Sequence, residues 1–326
     1  RLIAHNEERF PKKICAGKSG KQKVRFQYFE DCYKENAFLA EDIRQTVQNG
    51  VPLSEIAVLF RTNMQPRALM EYMVSANLAF QTKDRIPDIY EHWIARDFFT
   101  YIRIAQGSDS RADFLSIMNR PKRYIGRDSL PDETVCFDEW VKLYEEQPWI
   151  AERIEKLWYD LKHLSRLSPY AAINYIRRGI GYDDYLAEYA EYRNANKEDF
   201  YEVADEILAS AKGYRTFEEW FAHIEEYRQE LKRLAQEKRR NQNAVTFATL
   251  HSAKGLEFTK VYLIDVNEGV MPYKKAVLKQ DVEEERRLFY VGMTRAKESL
   301  TICSVKKMRG KEVELSRFIK EVGKEP

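Results

Sequence analysis

Short apolar runs rich in β-branched residues, IAVLF at 56–60, KVYLID at 260–265 and TICSV at 301–305, stand near the two ends of a chain whose middle has almost none. Runs of four to six such residues bounded by polar turn formers read as buried strands, too short for helices that cross a core. Between them lie stretches of helical spacing. KVRFQYF alternates at period two, ENAFLAEDIRQTV recurs at helical steps, and IAVLF follows. Strand, helix and buried strand in that order predict a parallel α/β unit. The texture returns after Asn243 with AVTFATL, KVYLID and TICSV.

From about Ala105 to Asn243 the chain is charged, aromatic-rich and helical in period. In FEEWFAHIEEYRQELKRLAQEKRR, the residues Phe221, Ile224, Tyr227, Leu231 and Leu234 recur at three- and four-residue steps as one apolar stripe. Its basic end, Lys238, Arg239 and Arg240, reads either as a solvated last turn suited to the helix dipole or as a nucleic-acid contact. The order predicts an α/β domain interrupted by an all-helical insertion, with no internal repeat.

Composition bounds the partners. With 54 Lys+Arg and a formal net charge of +2, the chain is no polycation, so a nucleic-acid surface has to come from local arrangement. No apolar run of about eighteen residues is present, and the start lacks the apolar core of a signal peptide, so no membrane partner and a cytoplasmic location are expected. Cys15, Cys32, Cys136 and Cys303 form no CxxC pair, and His5, His92, His163, His223 and His251 have no Cys or His at ligand spacing. No metal site is predicted within the chain. It opens on Arg and is read as a piece of something longer.

Three segments carry chemistry. In VTFATLHSAKGLEFTKVYLID, residues 245–265, a strand enters a polar turn from Thr249 to Gly255 and a second strand follows. Thr249, His251, Ser252 and Lys254 then stand at the mouth of a sheet, where short polar side chains and loop backbone can reach phosphates; a purely structural turn has the same composition. Gly255 lets the backbone bend or approach a ligand. EEERRLFYVGMTRAKESLTICSV, residues 283–305, predicts a helix from Glu283 to Leu300 and then a strand, with Arg295 on the face of Leu288 and Val291. Arg295 either pairs with an acid or meets a neighbouring domain's phosphate ligand. In IAVLFRTNMQPRALMEYM, Arg61 follows a strand's C-terminal end, also within reach of a ligand at that edge.

Together the three segments resemble motifs IV, V and VI of superfamily 1 DNA helicases of the UvrD/Rep/PcrA group, whose patterns read approximately LYRTNxQSR, TLHSAKGLEF and EEERRLxYVGxTRA. The resemblance extends to FLSIMNRPKRYIG at 114–126, to the opening LIAHNEERFPKK and to the ending RGKEVELSRFI. It implies the second of two RecA-like motor domains, called 2A, over 1–107 and 244–326, with the helical 2B insertion over 108–243. The chain has no GxxxxGK[ST], so the resemblance implies that ATP and Mg2+ are bound mainly by an N-terminal half outside it. By motif position, Arg61 and Arg295 are the implied catalytic contacts to the ATP γ-phosphate. Glu257 and Gly255 are the implied nucleotide neighbours, and Thr249, His251, Asn119 and Arg123 the implied single-stranded DNA contacts.

The segment TKDRIPDIYEHWIARDF departs from the family's GGxxFFxxxEIKD. The implied function is ATP-dependent 3′ to 5′ DNA translocation or unwinding, with duplex junctions and repair or replication proteins as partners and no activity from this chain alone. Two alternatives stay open: the helicase part of a recombination helicase-nuclease, and a non-catalytic DNA- or protein-binding module.

Overall fold

The computed structural model describes residues 2–7, 24–237 and 243–323. Cys15, the opening stretch 8–13, the basic run 238–240 and the side chain of Leu234 lie outside the described residues. The chain divides into two compact units, one formed by the stretches up to Pro87 and from Tyr227, the other by Asp88–Glu226.

In chain order the first unit opens with β1 (Arg25–Asp31), α1 (Cys32–Gln48), β2 (Ile56–Phe60), α2 (Arg67–Ser75) and β3 (Phe80–Thr82). The second unit is helical: α3 (Trp93–Ala105), α4 (Arg111–Ile117), α5 (Phe137–Lys142), α6 (Pro148–Leu164), α7 (Pro169–Asn174), α8 (Tyr182–Tyr192), α9 (Lys197–Ser210) and the start of α10 (Phe217–Glu237). The chain then returns to the first unit with β4 (Val245–Thr249), β5 (Phe258–Leu263), α11 (Lys279–Met293), β6 (Ala296–Met308), β7 (Lys311–Glu312) and α12 (Arg317–Val322).

The strands form one sheet in the order β1-β6-β5-β2-β4-β3, all parallel, with β7 antiparallel on the end of β6. This is the α/β class expected. Central β2 and β4 are buried at every position, because helices cover both faces of a parallel sheet and leave no polar side. Leu59, Ala248, Val261, Leu263 and Ile302 meet Phe289 of α11 and Phe318 of α12 in the core. Each fully buried side chain of this size contributes about 1.5–3 kcal/mol.

Gly292 explains how α11 lies so close to the sheet: a Cβ there would collide with Leu250 Cδ2 and stand 3.3 Å from Leu263 Cδ2. The helix begins where Leu278 N–H donates to the Asp281 carboxylate, 3.3 Å, and its regular bounds end at Met293, seven residues before the expected Leu300. Residues 296–300 join β6 instead, pairing Ala296 with Phe258 and Leu300 with Val261. Helical period misled here, because strand pairing along β5 outweighs the modest helix preference of AKESL.

In the helical unit Trp93 packs against Tyr185, Tyr189 and Phe200. A buried Asp97 accepts from Arg120, 2.7 and 2.9 Å, and from the Tyr182 hydroxyl, 2.6 Å. In α10 the innermost side chain is Trp220, beside Ile224 and Tyr227. The unit's first helix, α3, precedes the insertion start expected at 108. No described helix is long and apolar enough to cross a membrane.

Candidate functional site

Arg61 leaves the C-terminal end of β2. Its turn is clamped by Gln65, whose Oε1 accepts from the N–H groups of Arg61, 2.8 Å, and Thr62, 2.7 Å. The guanidinium is not free. Nε and Nη2 donate to the Glu285 carboxylate at 2.8–3.1 Å, and the Tyr273 ring lies 5.1 Å from the guanidinium carbon. Glu285 also accepts from Tyr273 N–H, 3.0 Å. With the two side chains only 19% and 10% exposed, this fork-shaped pair is shielded from water and stronger than a surface pair.

Behind Gln65 lies a buried acid pair. Gln65 Nε2 donates to Asp265, 3.3 Å, and Asp265 N–H donates to Glu35 Oε1, 3.3 Å. Burial, and then the charge of Asp265, push the Glu35 carboxyl well above the usual range. Asp265 holds φ +52, a conformation uncommon for a side-chain-bearing residue. Sequence reading missed Glu35, Gln65, Asp265 and Glu285 as a group, because 20 to 200 residues separate successive members.

The polar turn after β4 is closed by a residue from the departing segment. The Asp84 carboxylate accepts from Thr249 N–H, 2.7 Å, from the Thr249 hydroxyl, 3.3 Å, and from the Ser252 hydroxyl. Thr249 Oγ1 in turn accepts from Ser252 N–H, 3.2 Å. The Asp84 carboxylate therefore occupies these three donors. His251, Lys254 and Glu257 are exposed, and Gly255 takes φ +87, where a side chain would be strained.

Arg295 follows the last turn of α11, so it does not share the helical face of Leu288 and Val291. Nε donates to Val291 C=O, 2.9 Å, Nη1 to Leu256 C=O, 3.0 Å, and Nη2 to the Thr294 hydroxyl, 3.0 Å. Its own carbonyl accepts from Phe258 N–H, 2.9 Å, which ties it to the strand that follows Gly255 and Glu257. Among the described residues no carboxylate neutralises it. Arg295 thus gathers with 255–258 at the N-terminal ends of β5 and β6, while Arg61 and Thr249 stand at the C-terminal ends of β2 and β4. Glu285 lies eight positions before Met293, the last residue of α11, so about 12 Å of helix separates it from the turn that carries Arg295.

In the helical unit the two expected DNA contacts are turned inward. Asn119 Oδ1 accepts from Arg123 N–H, 3.2 Å, and Ile125 N–H, 3.1 Å, and its amide donates to Ile125 C=O, 2.8 Å. The buried Arg123 guanidinium donates to the carbonyls of Ile117, Met118 and Pro121 and to the Tyr101 hydroxyl, at 3.1–3.3 Å. Both residues build the loop 117–126.

A parallel sheet with helices on both faces, carrying polar turns at its strand ends and interrupted by a helical unit, defines a RecA-like α/β class of domain. Residues 1–135 and 150–307 match the UvrD-like helicase C-terminal domain, and the chain belongs to that family. It is similar to the ATP-dependent DNA helicase PcrA of Staphylococcus epidermidis, 29% identical over 98% of this chain and 47% of the relative. PcrA of Bacillus subtilis is 28% identical over 94% and 44%. The ATP-dependent DNA helicase Rep of Escherichia coli is 26% identical over 98% and 51%. The chain spans about half the length of these relatives.

Proposed function

We propose that this chain is the second motor domain, with its helical insertion, of an ATP-dependent 3′ to 5′ DNA helicase or translocase. The observation that carries this reading is Arg295, a charged side chain held, among the described residues, by two carbonyls and a hydroxyl. A guanidinium without a carboxylate leaves its charge available for an anion brought from elsewhere. On this reading the anion is the γ-phosphate of ATP, presented with Mg2+ by an N-terminal half that carries the phosphate-binding loop. ATP supplies the phosphoryl group, and Arg295 meets the negative charge that develops on it.

Arg61 is the second arginine. It has to exchange Glu285, in the middle of α11, for phosphate. Glu257 and Gly255 lie beside the nucleotide. Thr249 and His251, at the other edge, grip single-stranded DNA, with the 117–126 loop built by Asn119 and Arg123 as a further contact region. Duplex junctions and replication or repair proteins are the partners of the whole enzyme, acting in the cytoplasm.

The test is DNA-stimulated ATP hydrolysis by this chain alone and by the chain joined to an ATP-binding half. The joined protein is expected to turn over and the chain alone is not, because an arginine in trans cannot cradle a nucleotide without the loop lysine and its hydroxyl partner. Turnover by the purified chain alone, or none by the joined protein, would overturn the reading.

A further inference from the structure

The inward-turned Asn119 and Arg123 have a consequence for the loop they build. With its backbone fixed from below, the loop raises Lys122 and Tyr124, both exposed, on the outside. Tyr124 is 59% exposed and sits at φ +59, in the left-handed region that bulky residues rarely occupy. Strain of this kind persists where surrounding bonds overdetermine it, and it concentrates at functional positions.

The ring does not stand alone. The Arg153 guanidinium carbon lies 5.3 Å from the Tyr124 ring centre and 4.9 Å from that of Trp149, itself 50% exposed, and Lys122 Nζ lies 5.1 Å from Tyr124. Arg153 is oriented by donation to Arg123 C=O, 3.0 Å. Neither Arg153 nor Lys122 has a carboxylate partner among the described residues. Two half-exposed rings bridged by an unneutralised guanidinium, with an ammonium beside them, present flat π surfaces and positive charge together. That pairing suits an unpaired base with its phosphate: bases stack on aromatic faces and on guanidinium planes without regard to sequence, while the cations track the backbone.

We propose that Tyr124, Arg153 and Trp149 form a stacking platform for an unpaired base of single-stranded DNA, with Lys122 on the adjoining phosphate. The proposal rests on reading the chain as part of a DNA motor, and it adds to that reading a grip on the helical insertion that neither Asn119 nor Arg123 provides directly. A purely structural ladder would instead stabilise the loop.

Replacing Tyr124 with glycine separates the two, since glycine accepts positive φ without strain and removes the ring. In the 326-residue chain, Y124G is expected to keep or raise the thermal midpoint and to weaken binding of a fluorescent oligo-dT by roughly 5- to 150-fold. W149A is expected to weaken it in the same direction. Oligo-dT carrying 5-iodouracil is expected to crosslink under ultraviolet light to Tyr124 or Trp149, with the adduct located by peptide mass spectrometry. Wild-type affinity in both variants, adducts confined elsewhere, or an equal loss of blunt-duplex binding would overturn the platform while leaving the motor reading in place. Failure of the wild-type chain to bind oligo-dT at all would overturn both.

Discussion

Asp84 offers a direct probe of the turn after β4. Its carboxylate holds Thr249 N–H, the Thr249 hydroxyl and the Ser252 hydroxyl, which on the proposed reading are the groups that meet a DNA phosphate. In Asp84→Asn the side-chain carbonyl can still accept from Thr249 N–H, so the turn keeps its shape while the charge is lost. A phosphate entering beside Asp84 at about 6 Å feels a repulsion of about 0.7 kcal/mol if the gap behaves like bulk water and about 3 kcal/mol at the effective dielectric of a protein surface. D84N is therefore expected to tighten single-stranded DNA binding by roughly 3- to 100-fold. The assay is anisotropy of a labelled oligo-dT, read at low salt and again at about 1 M, where a screening length of about 3 Å should erase most of the gain. Unchanged or weaker binding at low salt, with the thermal midpoint preserved, would refute competition and leave Asp84 as a support for the turn.

Two further outcomes follow from the core and the buried acids. Gly292→Ala is expected to cost about 1–3 kcal/mol, visible as a lower urea midpoint, because the new Cβ collides with Leu250 under α11. Glu35 binds its proton more tightly folded than unfolded, so its contribution to stability is present at acid pH and is lost as pH rises from the ordinary glutamate value near 4.5 through the raised folded value. Glu35→Gln can still accept from Asp265 N–H and donate to the Asp265 carboxylate. It is expected to flatten that decline and to raise stability at neutral pH, each unit of elevation being worth about 1.4 kcal/mol; a steeper decline in urea titrations between pH 4 and 8 would contradict this assignment.

How much of this was legible in the sequence differs from element to element. The strand at 56–60 announces itself because it is apolar at every position, and those at 245–249 and 258–263 because short apolar runs there are bounded by polar turns. The places of Arg61 and Thr249 follow from them, since a residue just past such a strand must lie at its C-terminal end. Arg295 was harder. Its segment has helical period up to Leu300, yet β6 begins at Ala296, so the side-chain direction read from the helix was wrong even though the residue itself was singled out.

Partners across long separations were invisible. Nothing local to Arg61 points to Glu285, and nothing in the turn at 249–252 points to Asp84, which lies in the segment where the family pattern breaks down. Asn119 and Arg123 carry the family's residue types, but their hydrogen bonds go to neighbouring backbone, which no spacing rule reveals.

The central claim is that Arg295 keeps its charge for a phosphate held by another domain. It is tested by Arg295→Ala in the protein joined to its ATP-binding half, measuring DNA-stimulated ATP turnover and the thermal midpoint on the same preparation. An arginine that meets the transferring phosphoryl group can be worth about three to five orders of magnitude in rate. The account predicts a loss on that order with the midpoint and DNA affinity nearly unchanged; a lowered midpoint with wild-type turnover in the folded fraction would contradict it.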